Sequence, residues 1–280
     1  MKTVSKALTL AVLLTSSLFA NASDENILEF AKKRMSQNPE IKLEKISIKL
    51  KKELPIKGWY GYLIDAEAKV KDKIIKGKDI IFSNGRYISL DLIDSVNGES
   101  LRGLVTPSIT SKYYDKSKLI AGNHNAKDKI VIFSDPLCPF CIEHVPGIIK
   151  HVNKNKESIA LYYYHFPLIR IHPAADALSK LMELGKEQNI KNIELKVYET
   201  DWNKYFDSKE TNNKKIINGF NKAFKTSFTE ESIQSIEIID SMENDMEMGE
   251  EVMVQGTPTI FVNGEQDRML SKYIKLGKNK

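Results

Sequence analysis

The stretch SDPLCPFCIEHVPG, residues 134–147, contains the only two cysteines of the 280-residue chain. Cys138 and Cys141 stand two residues apart and follow KIVIFSD, an apolar run that predicts a buried strand. Pro139 comes directly after Cys138, at a position where the first turn of a helix tolerates proline. The stretch therefore predicts a strand, a helix N-terminus at Cys138, and a helix that continues to about Asn153.

Besides a redox pair, two cysteines at this spacing can form a local disulfide staple, part of a zinc site or a haem attachment site. A disulfide across so short a loop restricts the unfolded chain very little, so stabilisation does not explain the pair. A structural zinc site needs four ligands, and here only His144 and His151 follow on the same predicted helix, where the usual pattern sets its second pair farther away. Covalent haem is disfavoured because Ile142 stands where that motif requires histidine.

A redox pair is the favoured interpretation. The N-terminus of a helix stabilises a thiolate, so Cys138 is the predicted nucleophile. Cys141 lies one turn into the helix, where it would be more buried and would act as the resolving thiol. No other cysteine is present in the chain to form a wrong bridge with either of them.

The first residues of the chain have the order of a secretory signal peptide. Lys2 and Lys6 precede an apolar run at 7–20, and a small-x-small cleavage site ends at Ala22. The predicted signal peptide is therefore 1–22, which places the mature chain in a compartment where disulfides form and persist. The formal net charge of +5 falls to +3 without the two lysines, too mild a charge to indicate nucleic-acid binding.

Residues 23–105 predict a small α+β domain. ENILEFAKKRM, residues 25–35, has helical spacing of apolar residues and is followed by strand-like runs. Asn84 and Gly85 favour a two-residue hairpin turn between two of these runs. Residues 106–127 contain Pro, Gly, Ser and Asn with little apolar periodicity, which predicts a linker, partly helical at 113–119.

Residues 128–280 alternate between strand and helix patterns. The strand before Cys138, the helix after it and a second strand in SIALYYYHF (158–166) predict a parallel β-α-β unit. A mainly helical stretch follows at about 168–248, and its last helix is expected to begin at a Thr229 cap and to bury Ile236. The strand GTPTIFVNG and a short helix end the chain.

Other conspicuous side chains are expected to be structural. A group of methionines is expected to pack in the core rather than bind copper: Met242, Met246, Met248 and Met253. His165 and His172 are expected to be structural or surface residues. The tyrosine run 162–164 is expected to straddle core and surface.

Several segments together resemble the Dsb proteins, the thioredoxin-fold disulfide exchange proteins of the bacterial periplasm. GNHNAKDKIVIFSDPLCPFC (122–141) is similar to the entry strand and active site of DsbA-like and DsbG-like domains. YYHFPLIRIHPAADALSKLMELGK (163–186) resembles the strand and first inserted helix of DsbA-like domains. VQGTPTIFVNG (254–264) resembles the loop whose cis-proline faces the cysteines, and IFSNGRYISLDLIDSVNGESL (81–101) is similar to a hairpin of the DsbC and DsbG dimerisation domain.

The resemblance implies an α+β protein made of a cystatin-like dimerisation domain (23–105), a linker (106–127) and a thioredoxin fold (128–280). The thioredoxin fold is an α/β domain with a helical insertion at about 168–248. The resemblance also implies a V-shaped homodimer that forms through 23–105.

The same resemblance assigns roles to residues of the site. Cys138 and Cys141 are the catalytic pair, Pro139 and Phe140 complete the active-site motif, and the substrate-binding residues are Thr257 and Pro258. Phe140 stands where DsbA has histidine, which implies a less oxidising pair.

Proton transfer to the pair has no obvious carrier in the sequence. Ile132 stands six residues before Cys138, where thioredoxin and DsbA place a buried acid. Asp135 and Glu143 are the nearest acids and the candidates for a proton relay, although a surface or capping role is the simpler expectation for each.

The implied function is that of a periplasmic thiol:disulfide oxidoreductase without cofactor or metal. Threonine before the cis-proline and the dimerisation domain favour a disulfide isomerase or reductase of the DsbC/DsbG type. A DsbA-like dithiol oxidase and a dimeric periplasmic chaperone are the alternatives. The implied partners are unfolded or misfolded secreted proteins and a membrane redox protein, DsbD-like or DsbB-like, with no nucleic acid.

Overall fold

The structure of the protein, a computed structural model, describes residues 16–71 and 73–277. Two compact units are present, one ending at Thr106 and the other beginning at Pro107. The predicted signal peptide (1–22) lies mostly outside the described residues, and its last part forms the start of the first helix. Within the described ranges, no helix is both long and apolar enough to cross a membrane.

The first unit consists of a helix and an antiparallel sheet. Helix α1 (Ser16–Met35) is followed by four strands in sheet order: β1 (Ile41–Glu53), β2 (Tyr60–Val70), β3 (Lys73–Ser83) and β4 (Ile88–Ser89). The predicted helix at 25–35 falls within α1, where Ile27 and Ala31 lie one turn apart and are buried. These two side chains pack with a core formed by the sheet residues Tyr62, Ile64 and Ile81.

The predicted hairpin at Asn84 and Gly85 is present, with its turn displaced by one residue. Ser83 pairs with Ile88, and Asn84 N–H donates to Tyr87 O at 3.3 Å, which leaves Gly85 and Arg86 at the centre of the turn. Gly85 has a φ of 87°, a value that favours glycine. The Asn84 side chain accepts hydrogen bonds from the next backbone N–H groups instead of occupying the turn centre.

The second unit is built on a five-stranded sheet. Its strands are β5 (Leu119–Gly122), β6 (Asp128–Ser134), β7 (Ile159–His165), β8 (Thr259–Val262) and β9 (Glu265–Gln266), in the order β5-β7-β6-β8-β9. Strands β6 and β7 are parallel and are connected by helix α2 (Pro139–Lys154), which confirms the predicted β-α-β unit. The other pairings are antiparallel.

Helices cover both faces of this sheet. The four helices between β7 and β8 are α3 (Ala174–Glu187), α4 (Ile193–Glu199), α5 (Asn213–Phe224) and α6 (Ile236–Glu251). Helices α2 to α5 share one core with alternate residues of β6 and β7, and the residues between them pack in a second core with the end of α6. All seven residues of β7 are therefore buried, and the prediction that tyrosines 162–164 reach the surface is wrong.

The segment 107–127 belongs to the second unit, so the linker prediction is wrong. It contains two 3₁₀ turns, Ser111–Tyr113 and Lys116–Lys118, followed by strand β5, which pairs with β7. Tyr113 is fully buried, and its hydroxyl donates to Met248 O at 3.1 Å. Isolated side chains anchor this segment, and a search for apolar periodicity does not detect such anchors.

Helix α6 begins later than the predicted Thr229 cap. Ser235 is its N-cap, with the Ser235 hydroxyl accepting from Ile238 N–H at 3.4 Å, and Ile236 is exposed rather than buried. The buried face of the helix is formed by Ile238, Met242, Asp245 and Gly249. A Cβ added at Gly249 would lie 2.6 Å from the ring of Phe166, so glycine allows the helix to approach the sheet closely.

A buried ion pair joins the segment before β5 to helix α6. Lys118 Nζ lies 2.7 Å from Asp245 Oδ1 and 3.1 Å from Ser241 Oγ. The side chains of Lys118 and Asp245 are 8% and 0% exposed, and Asp245 Oδ2 also accepts from His165 N–H at 3.0 Å. Lys112 pairs with Glu251 nearer the end of α6, where both side chains are half exposed.

Lys118→Met should destabilise the protein by about 3–5 kcal/mol, because it leaves the Asp245 carboxylate buried without its cation. The matched control is Lys112→Met, which breaks a half-exposed pair between the same two segments and should cost less than about 1 kcal/mol. Urea unfolding followed by circular dichroism measures both. Equal effects of the two substitutions would contradict a special role for the buried pair.

Candidate active site

The two cysteines lie at the start of helix α2. Cys138 is the N-cap with extended backbone angles, Pro139 is the first helical residue, and Cys141 lies one turn farther on. Both cysteines are thiols in this structure. Cys138 retains 5% exposure and Cys141 has none, as the sequence predicts for a nucleophile and a resolving thiol. Pro146 lies inside the helix, which nevertheless continues to Lys154.

The environment of Cys138 favours its thiolate. A hydrogen bond from the Cys141 thiol, supported by the backbone N–H groups of Cys141 and Phe140, lowers the pKa of Cys138 to about 5, although burial opposes this shift. Backbone N–H groups at a helix N-terminus are unpaired within the helix and carry partial positive charge. Cys138 is therefore a thiolate at neutral pH, the form that attacks disulfides.

The environment of Cys141 has the opposite effect. Burial raises the pKa of the Cys141 thiol well above its usual value, and the neighbouring Cys138 raises it further. Hydrogen bonds from the Ser134 side chain and from Asp135 N–H partly offset these two effects. Cys141 is consequently a protonated thiol when Cys138 is a thiolate, and the two sulfurs are suited to different steps.

The loop before strand β8 faces the pair. The Thr257–Pro258 peptide bond is cis, in agreement with the sequence-based prediction. Cys138 Sγ lies 3.2 Å from Thr257 O, to which Cys138 donates in its protonated form. Strand β8 pairs with β6, whose end leads into Cys138, and this pairing places the loop beside the helix N-terminus. The structure thus brings Cys138, Cys141 and Thr257 together.

The two predicted relay acids differ in position. Asp135 was expected to be a surface or capping residue; it is fully buried, so the surface role is wrong, whereas its carboxylate does cap the turn before the helix. Its Oδ1 accepts from Leu137 N–H at 2.7 Å, and its Oδ2 lies 2.8 Å from Leu168 N and 2.9 Å from His172 Nδ1. Three segments meet at this carboxylate, which is stable in the core because each oxygen has partners. Glu143, by contrast, is exposed on α2.

Apolar side chains are exposed around the cysteine pair. Phe140, between the two cysteines, is 65% exposed, and Ile142 follows it on the outer face of the helix. Ile169 and Ile171 are also exposed, on the loop that Asp135 holds through Leu168 N–H. Exposed apolar groups next to a reactive thiol, as Phe140 and Ile142 are, are typical of a surface that binds other chains.

The alternative metal site is not assembled. His151 Nε2 lies 3.2 Å from Leu276 O, and its ring packs against Tyr273 rather than turning toward the cysteines. Among the residues that the structure describes, no three His, Cys, Asp or Glu side chains are grouped in a way that could hold a metal ion.

Sequence reasoning missed several polar groups around the pair. Ser134, at the end of β6, bonds to Cys141 and also to Tyr198 of α4, and His172 bonds to Asp135. The position of Ser134 directly before the Cys138 turn is a signal that could have been used. Tyr198 gives no such signal, because only the folded chain brings it behind the pair.

The fold and the cysteine pair together define a thiol-disulfide oxidoreductase of the thioredoxin-like type. The thioredoxin family model matches residues 115–278, more than half of the chain. The chain belongs to the thioredoxin family. A search of curated proteins found no match to this chain.

Solved structures with similarity to the chain come from several bacteria. DsbA2 of Pseudomonas aeruginosa is 17% identical, with 54% of this chain and 84% of that chain covered and a TM-score of 0.41. Oxidised BdbD of Bacillus subtilis is 16% identical, with 60% and 91% covered and a TM-score of 0.47. ScsC of Proteus mirabilis, in a transitional conformation, is 17% identical, with 59% and 71% covered and a TM-score of 0.44.

Alkylation of the reduced protein by iodoacetamide should reach half of its maximal rate near pH 5, the pKa of Cys138. The rate should rise as pH increases through this value, because only the thiolate reacts.

The lowered pKa of Cys138 also stabilises the folded reduced protein. This contribution to the free energy of unfolding is complete above the unfolded thiol pKa of about 9, decreases as pH falls, and is absent below about pH 5.

Mass spectrometry of samples quenched with acid follows the alkylation. The control is Cys138→Ser, in which buried Cys141 should stay unlabelled until the protein is unfolded. A half-maximal rate above about pH 7.5 would contradict this description of Cys138.

Proposed function

We propose that the protein is a disulfide isomerase and reductase of the DsbC/DsbG type that acts on exported proteins in the periplasm. The observation that carries the exchange chemistry is Cys138 at a helix N-terminus with the buried Cys141 one turn behind it. Threonine before the cis Thr257–Pro258 bond favours the isomerase over the oxidase. The predicted signal peptide and the use of both cysteines in one exchange motif support an oxidising compartment. No cofactor is required, because the electrons move between sulfur atoms.

The proposed reaction begins when the Cys138 thiolate attacks a wrong substrate disulfide. A bond forms between Cys138 Sγ and one substrate sulfur, and the other substrate sulfur leaves as a thiolate. In isomerisation, a substrate thiolate then attacks the sulfur bound to Cys138 and releases the enzyme unchanged. In reduction, Cys141 loses its proton and attacks Cys138 Sγ, which releases a reduced substrate and oxidises the pair.

Unfolded or misfolded secreted proteins are the proposed substrates. The exposed apolar side chains Phe140, Ile142, Ile169 and Ile171 would contact apolar segments of such chains. Thr257 and Pro258 would bind the substrate backbone beside Cys138, since extended peptides bind by backbone hydrogen bonds to exposed backbone. For proton transfer we propose Asp135 rather than Glu143, because the backbone hydrogen bond from Asp135 to Cys141 places this buried acid next to the resolving thiol, whereas Glu143 is exposed.

A DsbA-like oxidase is the second candidate, and the pKa of Cys138 supports it. A value of about 5 lies between about 3.5 for the strongly oxidising DsbA and about 7 for thioredoxin. A low thiolate pKa favours the reduced pair and so makes the disulfide a better oxidant. Phe140 supplies no positive charge, which agrees with a pair less oxidising than that of DsbA. A DsbD-like reductant would recharge an isomerase, and a DsbB-like oxidant would recharge an oxidase.

We further propose that residues 23–105 form a cystatin-like dimerisation domain and that the protein is a homodimer. Strand β4 pairs only with Phe82 and Ser83, so Ile74 and Ile75 lie in the part of β3 that β4 does not cover. Both isoleucines are exposed, as are further apolar side chains of the same unit: Tyr87, Leu90, Ile93 and Val96. Exposed strand edges with apolar side chains are a common route to pairing between identical chains.

In living cells, Cys138 and Cys141 should be mostly reduced, because an isomerase must hold a nucleophilic thiolate. Acid quenching followed by a mass-adding thiol label measures this redox state. A mostly oxidised pair would contradict the isomerase and support the oxidase. The double variant Cys138→Ser/Cys141→Ser tests the chaperone alternative. We expect it to lose the ability to refold substrates with scrambled disulfides. If it still protects aggregating proteins as well as the unmodified protein does, a chaperone function is favoured.

Ile74→Asp should shift the protein from dimer to monomer, since a charge on an apolar contact surface opposes association. Sedimentation equilibrium at micromolar concentration measures the molar mass. The matched control is Ile236→Asp on helix α6 of the second unit, where Ile236 is 72% exposed compared with 68% for Ile74. A monomeric unmodified protein, or a monomer produced equally by both substitutions, would contradict dimerisation through 23–105.

A further inference from the structure

The buried hydroxyl groups of Ser134, Tyr198 and Tyr163 form a continuous hydrogen-bonded row behind Cys141, called the hydroxyl row below. Ser134 Oγ lies 2.7 Å from Tyr198 OH, and Tyr198 OH lies 2.7 Å from Tyr163 OH. These are ordinary distances for strong O–H···O hydrogen bonds. All three residues are buried, with at most 3% of any of them exposed.

The hydroxyl row ends at a reacting atom, the sulfur of Cys141. The Ser134 side chain also hydrogen-bonds to the sulfur of Cys141. Ser134 is the last residue of β6, Tyr163 lies on the neighbouring strand β7, and Tyr198 lies on helix α4, which packs against α2. Three separate elements therefore supply a single hydrogen-bonded row that leads to the resolving thiol.

The surroundings of Cys141, at the end of this row, are apolar. Cys141 belongs to a core cluster that includes Ile132, Val145 and Leu178. Ile132 can neither donate to nor accept from the thiol. Burying hydroxyl groups in such a core is unfavourable unless each one is hydrogen-bonded, so the row is a costly arrangement that packing alone does not require.

We propose that Ser134 is a further catalytic residue that stabilises the Cys141 thiolate, and that Tyr198 and Tyr163 are positioning residues that orient the Ser134 hydroxyl. This inference rests on the proposed function, in which Cys141 resolves the mixed disulfide at Cys138. Ser134 touches the reacting sulfur directly, whereas the two tyrosines act through it.

The hydroxyl row suits both states of the sulfur, because each hydroxyl has one proton and its donor direction is not fixed. When Cys141 is a thiolate, Tyr163 donates to Tyr198, Tyr198 to Ser134, and Ser134 to the sulfur. In the mixed disulfide, where the Cys141 thiol no longer donates to a Cys138 thiolate, the hydroxyls can rotate so that Ser134 accepts from Cys141. Burial holds the pKa of both tyrosines well above the usual value, so they remain protonated and available as donors.

The resolving step can be observed with Ellman's reagent. The reduced protein attacks the reagent through Cys138, which releases one thionitrobenzoate ion and leaves a second one bound to Cys138 as a mixed disulfide. The Cys141 thiolate then attacks Cys138 Sγ, the Cys138–Cys141 disulfide forms, and the second ion leaves with the electron pair of the broken bond. Stopped-flow absorbance separates the two releases, so the first reports on Cys138 and the second on Cys141.

Ser134→Ala should slow the second release by about tenfold or more, because a hydrogen bond to a charged group contributes roughly that factor. Tyr198→Phe should slow it by a smaller factor, and Tyr163→Phe by the smallest, since each acts at a greater distance along the row. The first release should stay within about twofold of the unmodified protein in all three. Ser134→Thr keeps the hydroxyl and should restore the second release.

The matched control is Tyr164→Phe, which removes another buried tyrosine hydroxyl of β7. Tyr164 OH donates to Tyr113 O on the opposite face of the sheet, so neither release should change. An unchanged second release in both Ser134→Ala and Tyr198→Phe would overturn the inference, and so would an equal slowing of both releases. If Ser134→Ala does not fold, Tyr198→Phe and Tyr163→Phe decide the question by the same criteria.

A Cys141→Ser variant separates this inference from the proposed function. It should show only the first release and keep the mixed disulfide. A second release that persists without Cys141 would overturn the resolving role of Cys141 and the inference with it. Loss of the second release in Cys141→Ser, together with normal rates in the hydroxyl variants, would overturn the role of Ser134 alone.

Discussion

The buried carboxylate of Asp135 holds three segments of the active site in place. It accepts from Leu137 N–H in the turn before Cys138, from Leu168 N–H in the loop after β7, and it lies within hydrogen-bond distance of His172 at the start of α3. An isolated carboxylate in this core would be strongly unfavourable, so these partners are a condition of its burial. The backbone N–H of the same residue reaches the Cys141 sulfur. The end of β6, the helix N-terminus and the neighbouring loop are therefore interdependent.

Patterns in the sequence were sufficient for the parts of the fold that depend on regular periodicity. The β-α-β unit, the helix after Cys138 and the mainly helical character of the insertion follow from runs of apolar residues at fixed spacing, whereas the short helix α4 was not identified. The cis peptide bond at Thr257 came from resemblance and not from periodicity. Strand β5 was missed because it has only four residues, and its segment is anchored by Tyr113 and Lys118 rather than by an apolar stripe.

The burial of charged side chains could not be predicted from the sequence. Asp135, Lys118 and Asp245 are charged residue types that are almost always exposed, so exposure is the correct expectation for each one taken alone. Their burial depends on partners distant in sequence, such as His172 for Asp135 and Asp245 for Lys118. The tyrosines of β7 were misjudged for a related reason, because helices cover both faces of the sheet and leave no surface side to the strand.

The opposite environments of the two sulfurs bear on the direction of the proposed reaction. Burial raises the pKa of Cys141 and keeps its thiolate scarce at neutral pH, which slows the attack of Cys141 on a mixed disulfide at Cys138. A long-lived mixed disulfide gives a bound substrate time to supply its own thiolate, which is the isomerisation route. The hydroxyl row that ends at Ser134 acts against this delay, because it lowers the free energy of the Cys141 thiolate. The balance between isomerisation and reduction is therefore set behind the pair, within the core, as well as at the surface where substrates bind.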